Sequence, residues 1–293
     1  MSRPKNRPKN RRGRRTGSAP GLATITWLYI VWSLAPVLVA VRISFNSGKS
    51  RSTFQSPSMR WYWGDPTGSV WHDDNLHIAM GNTLKLAALC MLIAVPLGVA
   101  MAIGLQRWRG KAAAASNGLM LVPIVTPELV FGVALFIVFT QVYTGLPGGL
   151  FTQLLGHVTF TVSFVVVIIR GRLTAIGDQY EQAARDLGAT RLQAIRLVLL
   201  PMLGPAIFAS LMVTFATSVD DFVISSFLST GEATETVPIK IYSGARAGST
   251  PALNALATVM LVVTLTAVGM AGLVLRRMRR QGAGDAGLAS LTA

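Results

Sequence analysis

The chain has a single cysteine, Cys90, and three histidines among its 293 residues. One thiol cannot close a disulfide within the chain, and no paired-cysteine pattern is available to hold a structural metal. Charge is scarce as well. Only 13% of the residues are Asp, Glu, Lys or Arg, about half the share of an ordinary soluble domain. Acids are the rarer sign, 12 against 27 bases. Catalytic signatures are also missing. Arg109-Gly110-Lys111-Ala112 lacks the leading glycine of a phosphate-binding loop and ends in Ala, so it cradles no nucleotide. There is no H-E-x-x-H and no G-x-S-x-G. With no cofactor motif in it, the chain is expected to bind none and to carry no catalytic or metal site of its own.

What is present is apolar sequence. Hydrophobic residues make up 51% of the chain and the mean hydropathy is +0.50, which places it in a bilayer. The net charge of +15 would suit a nucleic-acid partner, but its location argues otherwise. Eight bases crowd into the first 15 positions, and Arg276, Arg277, Arg279 and Arg280 directly follow an apolar run. Those are membrane-flanking clusters, not a groove-lining stripe.

Six apolar segments read as spanning helices, over about 22–41, 79–105, 117–142, 151–169, 205–228 and 252–275. No small-residue cleavage site follows the first, so it reads as a retained helix and not a leader. Prolines 96, 123 and 127 interrupt spans, as a bundle tolerates. The organisation is then a basic, disordered tail over 1–20, a six-helix membrane domain over 21–276, and a C-terminal tail over 277–293. Twenty of the bases fall in the two tails and the 2–3 and 4–5 loops, and five in the opposite loops. Positive-inside then puts both termini and the 4–5 loop in the cytoplasm.

That 4–5 loop, about 172–203, is a polar island. Asp178 and Glu181 stand three apart, as an N-cap and a capping-box acid do. Tyr180, Ala183, Ala184 and Leu187 recur at helical spacing on one face of low relief, and Gly188 sits where a helix end favours positive φ. Thr190 and Gln193 repeat the capping-box spacing, and a second amphipathic helix runs on until Pro201 stops it. A face built on two alanines lets another surface approach closely. Within the spans, Glu128, Asp220 and Asp221 are expensive in hydrocarbon and so should face a cavity, a partner or a substrate. On one continuous helix, Asp220 and Asp221 would point about 100° apart. His157 reads as a hydrogen-bonded bundle residue with no evident acid partner. Trp61, Trp63, Trp71 and Tyr242 lie on the outer side, either as an interfacial belt or as a docking surface.

The run E-x-A-A-x-x-x-G from Glu181 to Gly188, followed by Leu200-Pro201, resembles the EAA loop of binding-protein-dependent ABC importer permeases. The resemblance implies a type I importer bundle of six helices in a bacterial inner membrane. It implies that Glu181, Gln182, Ala183, Ala184, Gly188, Leu200 and Pro201 dock into a groove of an ATPase subunit. ATP and Mg would be used by that partner. A second permease subunit and an external solute-binding protein would complete the complex. The position that usually carries Glu holds Gln182, with Glu181 one residue earlier. More narrowly, Ser218-Val219-Asp220-Asp221-Phe222, Pro238-Ile239-Lys240-Ile241-Tyr242 and Asn254-Ala255-Leu256-Ala257-Thr258 resemble the spermidine/putrescine permease subfamily. A polyamine substrate then accounts for the membrane acids as its pathway, and the outer aromatics as the binding-protein contact. An importer for an iron complex or an anion, and a proton-coupled secondary transporter, are the competing expectations.

Overall fold

The computed structural model describes the backbone of residues 20–50, 53–108, 110–247 and 251–289, and side chains within residues 21–273. The basic tail of residues 1–19 and the side chains of Arg276 to Arg280 fall outside the described residues. Within them the chain is helical, with one isolated antiparallel bridge, Asn46 to Pro57. The helices are α1 (Pro20–Ser44), α2 (Asp74–Arg107), α3 (Lys111–Leu119), α4 (Val122–Val125), α5 (Glu128–Ile137) and α6 (Leu150–Ile176). They continue as α7 (Gln179–Asp186), α8 (Arg191–Ala194), α9 (Leu200–Asp220), α10 (Val223–Leu228), α11 (Val237–Ala247) and α12 (Ala252–Ala289). Five helical stretches are long and apolar enough to cross a membrane, and the bent pair α3–α4 plus α5 makes a sixth if it counts as one crossing.

The centre of the bundle is α2 against α6 and α9. Small residues set how close they come. A Cβ added at Gly98 of α2 would lie 2.6 Å from the Val165 Cβ of α6, so only glycine permits this approach. Around it Val99, Ala102 and Leu105 pack with Val166, Ile169, Leu173, Leu199 and Leu203. A second apolar cluster at the other end of the bundle gathers Leu76, Ala79, Phe215, Val219, Val237 and Leu256. By contrast α1 packs on α12 and exposes Trp27, Leu28, Trp32 and Leu38, an apolar surface that a bilayer or a second subunit can cover.

Three expectations from the sequence are corrected, two spans that break and one stop that does not. The third span breaks at Thr126-Pro127 and turns by 107°. Proline forces its predecessor out of the helical region, and Thr126 accordingly has ψ 131. The fifth span stops at Asp220, because Asp221 is extended (φ −64, ψ 117), and restarts as α10. Pro201, in turn, does not stop the helix before it. A π turn over Ile195–Leu199 precedes it, with the Leu200 N–H donated to the Ile195 carbonyl, and the helical run then continues from Arg191 to Asp220. The widened turn absorbs the register change that the missing proline N–H would otherwise impose.

Candidate coupling and translocation sites

The polar island folds as helix, glycine turn, helix. Gly188 takes φ +89, and the Gly188 and Ala189 N–H groups donate to the Arg185 (2.9 Å) and Ala184 (3.0 Å) carbonyls, a Schellman closure of α7. Thr190 and Gln193 form the reciprocal capping box at α8: the Thr190 N–H donates to Gln193 Oε1 at 2.8 Å, and the Gln193 N–H to Thr190 Oγ1 at 3.3 Å. The first pair behaves differently. Asp178 occupies the N-cap of α7, but its side chain accepts no N–H. The Glu181 carboxylate turns instead to the Arg107 guanidinium at the end of α2. A full positive charge outcompetes a backbone donor for a carboxylate. Among the described residues much of the apolar face of α7 is open: Leu187 is 90% exposed, Tyr180 is 48% exposed, Gln182 and Ala183 are exposed beside them, and Ala184 is half-buried. Pro201 is exposed and Leu200 half-buried.

The three membrane acids converge on the two helix breaks. Glu128 opens α5 immediately after the 107° bend, not midway along an unbroken helix, and α5 packs on α10, the helix that restarts after Asp221. The stagger in depth expected from a continuous third span is therefore replaced by a cluster. Asp220 and Asp221 differ sharply in setting. Asp220 ends α9, is exposed, and lines a cleft of about 400 Å³ with Val237, Pro238, Ile241 and Leu261. Asp221 is buried. One of its oxygens accepts the Ser225 N–H and hydroxyl, each at 2.8 Å, and lies 3.0 Å from His157 Nε2. His157 is itself buried, with Nδ1 2.8 Å from Ser218 Oγ and Nε2 2.9 Å from Ser225 Oγ. This network of His157, Ser218, Asp221 and Ser225 ties α6, α9 and α10 together at the break. The acid partner of His157 lies on a different helix, where sequence spacing carries no signal of it.

Two glycines seat α10. A Cβ at Gly132 of α5 would meet Phe227 at 2.9 Å, and one at Gly156 of α6 would meet Ile224 at 2.7 Å. Phe222, in the break itself, packs its ring 4.6 Å from that of Tyr242 on α11, and the Arg246 guanidinium lies 4.6 Å over the other side of the pair, on Tyr242. An aromatic pair therefore adjoins the acid cluster.

The outer segment corrects one expected surface residue. Trp61 is 1% exposed and donates its indole N–H to the Asn46 carbonyl at 2.7 Å, so it anchors the segment and meets no partner. Trp63 (61% exposed) and Trp71 (67%) do lie at the surface, and Tyr242 is half-exposed. Arg60 grips Asp65 at 2.7 Å, and together with the Thr67 and Gly68 N–H groups it brings the Asp65 pKa down to about 2. That carboxyl stays ionised near neutrality, so this contact is insensitive to ordinary pH. Among the described residues no group of three His, Cys, Asp or Glu is arranged to hold a metal.

Residues 94–280 match the family described as binding-protein-dependent transport system inner membrane component. The spermidine/putrescine transport system permease protein PotC of Escherichia coli is 32% identical over 263 residues, covering 90% of this chain and 95% of that protein. The putrescine transport system permease protein PotI of the same organism is 36% identical over 266 residues, covering 87% and 89%. Among solved structures, a subunit of a bacterial ABC transporter involved in alginate import superposes with a TM-score of 0.70 at 17% identity, over 87% of this chain and 95% of that one, a likeness of fold. With the match running over more than half the chain, this protein belongs to the binding-protein-dependent transport system inner membrane components, multi-pass permease subunits of the inner membrane.

Proposed function

We propose that this chain is one membrane half of an ATP-driven polyamine importer, with α7 as its docking helix and the α9–α10 break as part of the substrate path. The observation that carries the substrate class is the acid cluster. Exposed Asp220 closes α9, whose last-turn carbonyls add partial negative charge, next to the Phe222–Tyr242 ring pair, and exposed Glu128 opens α5, which packs on α10 just past the break. An ammonium chain sheds part of its hydration to enter a bundle, and ionised carboxylates with aromatic faces offset that loss. An anion importer would set bases here. The names of PotC and PotI point the same way.

In this reading the chain performs no chemistry. ATP and Mg bind the partner ATPase, whose closure moves α7. A second permease subunit completes the pathway, and a solute-binding protein meets the outer surface at Trp63 and Trp71. The test is reconstitution. The chain, purified with its ATPase and partner permease, should take up labelled putrescine or spermidine only with ATP and binding protein present. Uptake driven by a proton gradient without ATP would replace the reading with secondary transport.

The orientation has its own check. In a Cys90→Ala background, Thr67→Cys should react with an impermeant thiol reagent in intact cells, and Ala112→Cys only after permeabilisation. Both positions are exposed in the chain. The opposite pattern would invert the topology and place α7 away from ATP.

A further inference from the structure

Beside the His157–Asp221 contact, three ion pairs occur among the described residues: Arg60–Asp65, Lys240–Glu235 and Arg107–Glu181. The last is the one that leaves the polar island. Its side chains are only 27% and 18% exposed, and its partners lie 74 positions apart in the chain. Glu181 and Arg107 line the same cleft, of about 350 Å³, with Gln106 and Ile103 of α2 and Leu173 of α6. Gln182, one residue on, borders the same cleft but is exposed, whereas the Glu181 carboxylate reaches Arg107 of α2. The displaced glutamate is therefore on the inner side of α7, toward its own chain.

The helix it grips reaches the other end of the molecule. From Arg107 back to Asn82, α2 is one continuous helix, Pro96 included, a length of roughly 38 Å. At that far end Asn82 Nδ2 donates to the Ala233 and Glu235 carbonyls, both at 2.9 Å, and Thr83 Oγ1 accepts the Val237 N–H at 2.9 Å. Ala233 and Glu235 belong to the segment between α10 and α11, and Val237 opens α11, the Tyr242 helix. One rigid element thus touches the docking helix at one end and holds the segment beside the substrate break at the other.

We infer that α2 is a connecting rod, and that Arg107 and Glu181 are the positioning residues that fasten it to the docking helix. The inference rests on the reading of α7 as the ATPase contact. When the ATPase moves α7, the charged fastening transmits the shift to α2, and the Asn82–Thr83 clamp passes it to the α10–α11 segment. On this inference Glu181 acts within the chain, and not in the ATPase groove that the resemblance implied for it.

Charge reversal and exchange in the reconstituted complex test it. Arg107→Glu and Glu181→Arg should each keep the ATPase subunit in parental proportion on purification. Each should lower binding-protein-stimulated hydrolysis and uptake by about tenfold. The exchanged pair Arg107→Glu/Glu181→Arg should recover most of the uptake, a rescue that loss of a merely structural contact with the ATPase would not show. Parental uptake in both single variants overturns the inference and leaves α7 as the docking helix. A double variant no better than the singles overturns it as well. So does loss of the ATPase from the single variants, which would put these side chains in the ATPase contact. If the ATPase fails to accompany the parental chain, the docking reading itself falls, and the rod with it.

Discussion

Ala184→Asp is expected to leave the chain inserted in the membrane and to end substrate-stimulated ATP hydrolysis. Exposed Ala183 and half-buried Ala184 sit on the α7 face between Tyr180 and the almost fully exposed Leu187. On the free chain a carboxylate there remains in water and disturbs little. Seated in an apolar groove without a partner, it would cost a few kcal/mol, enough to cut occupancy of the docked state by a hundredfold or more. The measurement is hydrolysis by the purified complex with and without loaded binding protein, beside the amount of ATPase that co-purifies. Gly188 supplies a control of different origin. Nothing lies within 4 Å of a Cβ built there, so the penalty on substitution comes from φ +89 alone. Gly188→Asn should therefore be tolerated better than Gly188→Val, since β-branched residues resist the left-handed region most. Normal uptake by an inserted Ala184→Asp variant would sink the docking role of α7.

The parts of the fold that could be read from sequence are those with local causes. Gly188, Thr190 and Gln193 act on backbone groups within a few residues of themselves, so their turn and cap follow from spacing. The six apolar segments and the flanking bases are likewise local in character. Long-range causes left no such mark. Nothing near Asp221 in the chain says that the helix must end there. It ends because His157 of α6 and the first N–H groups of α10 compete for that carboxylate. Glu181 stood at the right spacing for a capping box, yet Arg107 drew it away from its own helix. Trp61 read as an outer aromatic like Trp63, but its indole reaches back to Asn46 and sinks into the outer core. Pro127 was visible as an interruption; that it produces a bend of 107° depends on α5 packing against α10.

Asp220→Asn and Glu128→Gln are each expected to slow polyamine uptake by about tenfold or more, with the complex assembled as before. Both carboxylates are exposed in the single chain, Glu128 just after the third-span break and Asp220 just before the fifth-span break, and neither is needed to hold a helix in place. Their amides keep the shape and lose the charge, so any effect reports on attraction for a cation. Asp221→Asn acts through the fold. It removes the partner of buried His157 while its amide oxygen can still accept the Ser225 N–H, so the break weakens without vanishing. Leaving a buried hydrogen-bonding group without its partner costs about 1–3 kcal/mol, which predicts a lower unfolding temperature and less assembled complex before any loss of intrinsic rate. His157→Ala should reproduce the instability of Asp221→Asn, and combining the two should add little, because both act on one contact. Uptake normalised to assembled complex then separates the roles. It falls for Asp220→Asn and Glu128→Gln, and it stays near parental for Asp221→Asn. If the two exposed acids can be neutralised with no change in normalised uptake, the cluster is structural and the polyamine assignment loses its physical basis. If Asp220→Asn instead prevents assembly, Asp220 belongs to the subunit interface, and the cation path must run elsewhere.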